Sequence, residues 1–178
     1  MPAATKPVNE VPRYAALMGY HLRKSVLGDA GADELVHEAA LRFDVPQSAI
    51  ALVGASTVYF LATHGVSFHA ISRDFSFCAH AIHTPKLLVI PNAPSDPRFA
   101  DNPLVLGHPY VRFYAGAPLI DRHGYCLGTF CVVDTKPRSF EADKAAALTK
   151  LAERAMQRID FLSTVSELLS RSSDPLLT

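Results

Sequence analysis

The stretch F-C-A-H-A-I-H-T, Phe77 to Thr84, places one thiol and two imidazoles close together. These are the side chains of a metal cage, a redox centre or a cofactor attachment point. In a helix, at about 100° per residue, Cys78 and His80 stand about 200° apart and cannot grip one ion. Cys78 then shares a side with Ala81 and Ile82, the pattern of a small buried hydrophobe. His80 and His83 do share a side, but two imidazoles with no carboxylate in the segment make a poor metal site. Ordinary hydrogen-bonded histidines are the simpler reading; a histidine-ligated cofactor such as haem stays open, and no metal is assigned.

The other thiols, Cys126 and Cys131, lie five apart on one expected strand, so alternation sends them to opposite faces. Neither has an adjacent Lys, Arg or His to lower its pKa. No nucleophile elbow, phosphate loop or zinc-protease helix is present. The chain therefore shows no catalytic set and reads as a non-enzyme.

The frame around these residues is that of a globular chain. Its 178 residues are 49% hydrophobic with a formal net charge of +0, enough to bury one core and unlike a disordered segment. A neutral balance leaves no electrostatic footprint for nucleic acid, and no basic run marks a membrane surface. The start, M-P-A-A-T-K-P-V-N-E, lacks the apolar core of a signal peptide. Ile50–Val66, the most apolar stretch, is broken by Gly, Ser, Thr and His and reads as strands, not a membrane span. Three cysteines, an odd number, suit a reducing cytoplasm better than a disulfide scaffold.

Residues 1–11 are rich in Pro and Ala and are expected to be loose. Tyr14, Leu17, Met18, His21 and Leu22 predict a helix over Arg13–Val26, ended by Gly28, and Leu35, Val36, Ala39 and Phe43 a second over Ala32–Phe43. Ser48–Val53 and Thr57–Ala62 form an expected hairpin around Gly54-Ala55-Ser56. Gly65–Ser76 is irregular, Cys78–His83 helical and Leu87–Ile90 a buried strand. The following P-N-A-P-S-D-P-R-F-A-D-N-P is too proline-rich for a regular element and too long for a turn, as binding loops and lids are. Val111–Ile120 and Tyr125–Asp134 then pair around Asp121-Arg-His-Gly124. On the first of these strands Val111, Phe113, Ala115, Ala117 and Leu119 face the core. Arg112, Tyr114, Gly116 and Pro118 face either water or a polar cavity.

Ser139 is the expected N-cap of a last helix, with Glu141 and Asp143 in its first turn. No glycine or proline follows until Pro175, so the helix could run about thirty residues, on the order of 45 Å. Leu148, Leu151, Ala155, Leu162, Val165 and Leu169 fall at heptad spacing, with Arg158 the misfit, and predict a dimerisation seam in a homodimer.

Five blocks carry a family resemblance: S-F-C-A-H-A-I (76–82), L-L-V-I-P-N-A (87–93), D-P-R-F-A-D-N-P-L-V (96–105), R-F-Y-A-G-A-P-L (112–119) and L-G-T-F-C-V-V-D (127–134). In this order and spacing the chain resembles the GAF domains of bacterial signalling proteins. The resemblance implies an α+β fold of the GAF/PAS-like (profilin-like) kind. A central antiparallel sheet of five or six strands would carry terminal helices on one face and a pocket under short helices and loops on the other. Residues 12–160 would be the sensory domain, preceded by the flexible 1–11 and followed by 161–178 as signalling helix and tail. Its pocket would be walled by Phe77, Cys78, Ala81, Ile82, Asp96, Arg98, Phe99, Asn102, Arg112 and Tyr114. Of these, Arg112 offers a fixed fork of donors to an anionic or carbonyl-bearing ligand. Asp96, Arg98 and Asn102 equally fit a role in pinning the loop, and Phe77 and Phe99 a place in the core.

Departures narrow the family options. Bilin-binding members follow the attachment Cys directly with His, whereas here Cys78-Ala79-His80 intervenes, and the N-K-x-D-type signature of cyclic-nucleotide binders is missing. The resemblance thus implies a cytoplasmic sensor of an unknown small molecule, relaying its state through terminal helices to an output domain such as a histidine kinase or diguanylate cyclase. The tail S-D-P-L-L-T faintly resembles the entry to a cyclase domain. Two rival readings are a thiol-based reductase of the free methionine sulfoxide reductase type and a ligand-free dimerisation scaffold. The sequence names no cofactor.

Overall fold

A computed structural model describes residues 4–20 and 29–172. Along the chain run α1 (Glu10–Gly19), α2 (Ala30–Phe43), β1 (Gln47–Val53), β2 (Thr57–His64), β3 (Ala70–Ser72), α3 (Phe77–Ala81), β4 (Leu88–Ile90), α4 (Pro103–Leu106), β5 (Phe113–Ile120), β6 (Cys126–Asp134) and α5 (Ala142–Ser172). The six strands form one antiparallel sheet in the order β3-β2-β1-β6-β5-β4. The expected His21, Leu22 and Gly28 of the first helix, and the tail from 173 to 178, lie outside the described residues.

Strand alternation divides the molecule into two cores. On one face Ile50, Leu52, Phe113, Ala115, Ala117, Leu119, Phe130 and Val132 pack beneath α2 and α5. On the other, Ala49, Ala51, Val53, Val58, Phe60, Tyr114 and Cys131 pack beneath α3, α4 and their loops. The β5 alternation is as expected except at Val111, which precedes the strand and joins the second core. The 121–124 turn places Gly124 at φ +83°, where a side chain would be strained.

Cys126 departs from its expected face. Leu119 pairs with Gly128 but Ile120 pairs with Cys126, leaving Leu127 as an extra bulged residue. One extra residue reverses the alternation, so Cys126 and Cys131 both reach the second core.

α2 begins two residues earlier than its apolar pattern suggests, because Asp29 caps it by accepting from the Ala32 backbone N–H at 2.9 Å. The same carboxylate takes a bidentate pair from Arg158 of α5, Nε to Oδ1 at 2.7 Å and Nη2 to Oδ2 at 2.6 Å. The heptad misfit is thus the clamp between the two helices. Ser139 does not cap α5; its hydroxyl donates to the Glu141 carboxylate at 2.6 Å, and the helix starts at Ala142.

The seam needs a larger correction. Leu148, Leu151 and Ala155 are buried in the first core of their own chain and cannot face a second copy. Leu162 packs partly against that core, Val165 is half-buried, and Leu169 is exposed together with Phe161 and Leu168. Along α5 the exposed large apolar side chains lie beyond Ile159.

At the other end, residues 4–11 make contacts not expected of a loose segment. Ala4 packs on the second core, and the helix starts at Glu10, three residues before Arg13. Met18, placed by the pattern on the apolar side, is exposed, while Arg13 is fully buried. Arg13 is held by Glu10, Nε to Oε2 at 2.8 Å and Nη2 to Oε1 at 3.1 Å. Glu10 Oε1 also accepts from Arg73 Nη1 at 2.5 Å, and that nitrogen donates to the Gly54 carbonyl at 2.9 Å. Burial works to raise the Glu10 pKa, but hydrogen bonds from both guanidiniums overcome it and hold the carboxylate at about 2.

Glu10→Ala would leave two buried guanidiniums without their shared counter-ion, and should cost about 3–5 kcal/mol in urea unfolding. Because the native pKa is depressed from 4.5 to about 2, the carboxylate's contribution is complete above 4.5 and is lost as pH falls toward 2. The wild-type urea midpoint should therefore fall more steeply across that window than that of Glu10→Gln.

Candidate ligand pocket

α3 is a five-residue helix whose start is fixed by Ser76, the Oγ of which accepts from the Cys78 backbone N–H at 3.1 Å. It lies flat on the second face, with Phe77, Cys78, Ala79 and Ala81 buried. Phe77 stacks on Phe99 at 4.2 Å and 7° and on Tyr114 at 5.2 Å, and His80 meets the edge of Phe99 at 4.8 Å. Burial, with a smaller push from the Arg98 charge, lowers His80 to about 4, so its ring is neutral near pH 7. The thiol and imidazole of the motif look in different directions, Cys78 toward the sheet and His80 toward the loop.

Beneath α3 lies a partly open hollow of about 60 Å³. Phe60, Phe68 and Ile71 line it, as do Leu104 of α4 and Val111, which follow the proline-rich loop. Cys78, Tyr114 and Cys131 also line it. There the Tyr114 hydroxyl lies 3.5 Å from Cys78 Sγ and 3.4 Å from Thr129 Oγ1. Cys78 and Cys131 are buried together in the second core. Interaction with Cys131, with help from Thr129, Tyr114 and Ser76, lowers the Cys78 pKa against the opposing effect of burial. The same interaction, reinforced by burial, raises Cys131. Burial raises Tyr114 too; Gln47, Ser48 and Ser76 complete the polar part of an otherwise apolar lining.

Of the expected pocket residues, Phe77, Cys78 and Tyr114 line the hollow. Ala81, Ile82 and Phe99 are core residues that back α3. Asp96 and Arg98 form an ion pair on the outer surface, Nη2 to Oδ2 at 2.6 Å, beside Pro91 and Asn92 and away from the hollow. Asn102 pins the loop, accepting from Leu104 N at 2.8 Å and donating to the Phe75 carbonyl at 2.9 Å. Arg112 precedes β5, and its Nη1 donates to the Val105 and Val111 carbonyls at 2.9 and 3.0 Å. One nitrogen of its fork is thus taken by the backbone, and Arg112 is not among the residues lining the hollow.

Thr129 and Cys131 were missing from the expected set. The signal was available: they sit two apart on β6 and pair with Pro118 and Gly116, on the Arg/Tyr side of β5. Among the described residues no three His, Cys, Asp or Glu side chains converge as a metal site would need.

An antiparallel sheet with helices packed on one face and a lidded hollow on the other is the architecture of a small sensory domain. The GAF domain family model matches residues 29–159, and the chain belongs to that family. A cyclic di-GMP phosphodiesterase of Pseudomonas aeruginosa is 38% identical over 143 residues, covering 78% of this chain but only 24% of that protein. Solved structures share the fold at low identity. The PixJ GAF domain of Thermosynechococcus elongatus, in its blue-light-absorbing form, aligns with a TM-score of 0.62 at 13% identity, covering 84% of this chain and 96% of that one. The free methionine-R-sulfoxide reductase of Neisseria meningitidis, in complex with its substrate, aligns at 0.61 and 15%, covering 93% and 99%.

Gly116 sets the floor. A Cβ there would land on the Tyr114 hydroxyl and 2.7 Å from its Cζ, so Gly116→Ala must displace the ring. It should cost about 1–3 kcal/mol by overpacking, measured as a lower thermal midpoint, with a shift of the Tyr114 ring signals in NMR spectra.

Proposed function

We propose that the chain is a cytoplasmic, non-catalytic GAF regulatory module that responds to a small molecule in the hollow beneath α3 and relays its state through α1 and α5 in a homodimer. The carrying observation is a mostly apolar hollow, with the Tyr114 hydroxyl and two thiols among its few polar groups, on the sheet face opposite the terminal helices. As folded, about 60 Å³ admits a molecule of a few heavy atoms. A larger ligand must lift α3 and α4, and that movement is the signal.

The route to the helices is short. Arg73 stands four residues before Phe77 of α3, and its partner Glu10 opens α1. A ligand that favours one lid position biases α1 only by its difference in affinity between the two states, typically about 1–3 kcal/mol for coupled sites. The output would be a separate or attached signalling domain. The phosphodiesterase relative adds that class to the kinase and cyclase outputs expected from sequence.

The thiol-reductase reading has one observation in its favour, Cys78 and Cys131 lining one cavity. The hollow, however, lies far below the roughly 300–1,000 Å³ of ordinary small-molecule sites. Turnover of free methionine sulfoxide that is lost on replacing Cys78 or Cys131 by Ser would replace the regulatory reading with this one.

Two measurements test the regulatory reading. A thermal-shift screen of nucleotides, amino acids, aromatic acids and few-atom ligands should find a compound that stabilises the protein by about 2.7 kcal/mol at a hundred times its dissociation constant. Leu169→Glu should convert a dimer to a folded monomer in sedimentation, whereas Leu151→Glu should unfold the chain. A dimer with no stabilising compound would favour the scaffold; a wild-type monomer would remove the homodimer.

A further inference from the structure

We infer that Cys78 and Cys131 are a reversible dithiol–disulfide couple, oxidised by a peroxide small enough to enter the hollow they share. This rests on the reading of that hollow as the sensory site and names the chemistry it senses.

Three observations converge. The thiols come from different elements, the lid helix α3 and the central strand β6, and are buried together in the second core. Both line the cavity, so a solute that enters it meets both sulfurs. Its volume of about 60 Å³ has room for a molecule the size of hydrogen peroxide, since about 10–15 Å³ holds one water.

Their surroundings divide the roles. The Tyr114 hydroxyl lies 3.5 Å from Cys78 Sγ, and the polar groups around Cys78 lower its pKa against burial, whereas Cys131 is raised by its Cys78 neighbour and by burial. A nucleophile and a resolving thiol are distinguished in this way. Cys78 sulfur attacks one peroxide oxygen, the O–O bond breaks, and the departing hydroxide takes the Cys78 proton and leaves as water. The sulfenic acid so formed is attacked by Cys131. The S–O bond breaks as the S–S bond forms, and hydroxide leaves as water with the Cys131 proton. Two thiols and one peroxide give one disulfide and two waters. The bond would tie α3 to β6 and remove the Cys78 thiol from the Tyr114 hydroxyl, changing the lid that Arg73 connects to α1.

Cys126 serves as an internal control. It is also buried, burial raises its pKa, and its Sγ faces the Thr84 carbonyl at 3.7 Å, away from the cavity.

The test treats the full native chain with graded hydrogen peroxide, blocks remaining thiols with iodoacetamide, and maps peptides by mass spectrometry without reduction. Free thiols should fall from three to one, with a Cys78–Cys131 linked peptide that dithiothreitol removes. Cys126→Ser should leave that product unchanged. Cys131→Ser should stop at a sulfenic acid on Cys78, trapped by dimedone. Oxidation at Cys126 first, links only between chains, or thiols that react only after denaturation would overturn the inference. If folding of Cys131→Ser is lost by circular dichroism, wild type and Cys126→Ser still decide the outcome. Absence of the linked peptide beside a compound that stabilises the fold would sink the redox couple alone. The linked peptide with no stabilising compound would keep the couple and remove reversible ligand binding.

Discussion

Tyr114 governs the second face of the sheet. Its side chain is buried, and a phenol taken out of water needs partners for its hydroxyl. Thr129 and Cys78 supply them, one from the neighbouring strand and one from the lid. Room for the ring exists because Gly116, two residues along the strand, has no side chain. The ring then stacks on Phe77, Phe77 on Phe99, and Phe99 meets His80. A run of aromatic contacts thus seats α3 and the proline-rich loop on the sheet, and the hollow is what that packing leaves unfilled.

Periodicity made the long elements legible. β5, β6, α2 and α5 were readable because their apolar residues repeat at 2 or about 3.6 residues. β3, three residues long, and the turn Arg73–Phe75 carry too little pattern to read. Cys126 was misplaced because a bulge at Leu127 leaves no mark in alternation. Arg13 was illegible for another reason: its burial depends on Glu10 and on the Leu127 carbonyl, 114 residues away, which Nη1 approaches at 3.5 Å. Site residues followed the same divide. Phe77, Cys78 and Tyr114 were found, whereas Arg112 lies off the hollow, because sequence cannot show that two backbone carbonyls draw its Nη1 to the preceding loop.

The two faces of the sheet are joined at its end as well as through it. Arg73 bonds at once to Glu10 of α1 and to the Gly54 carbonyl in the β1–β2 turn. It is buried, so moving it exposes or strands a charge. Displacement of the segment entering α3 therefore cannot be absorbed locally without cost. It is passed to the first turn of α1, or resisted by it.

α5 then divides by function along its length. Up to Leu162 its apolar side packs on the sheet and α2, with Arg158 clamped to Asp29 one turn earlier. The helix continues to Ser172 with Phe161, Leu168 and Leu169 exposed. Ser163 and Ser166 are still buried and Leu162 still touches the core, so the helix leaves the domain only in its last turns, a length that is marginal in water on its own. A helix anchored in the domain along most of its length, with apolar side chains exposed toward its end, is suited to carry a change in the sheet outward.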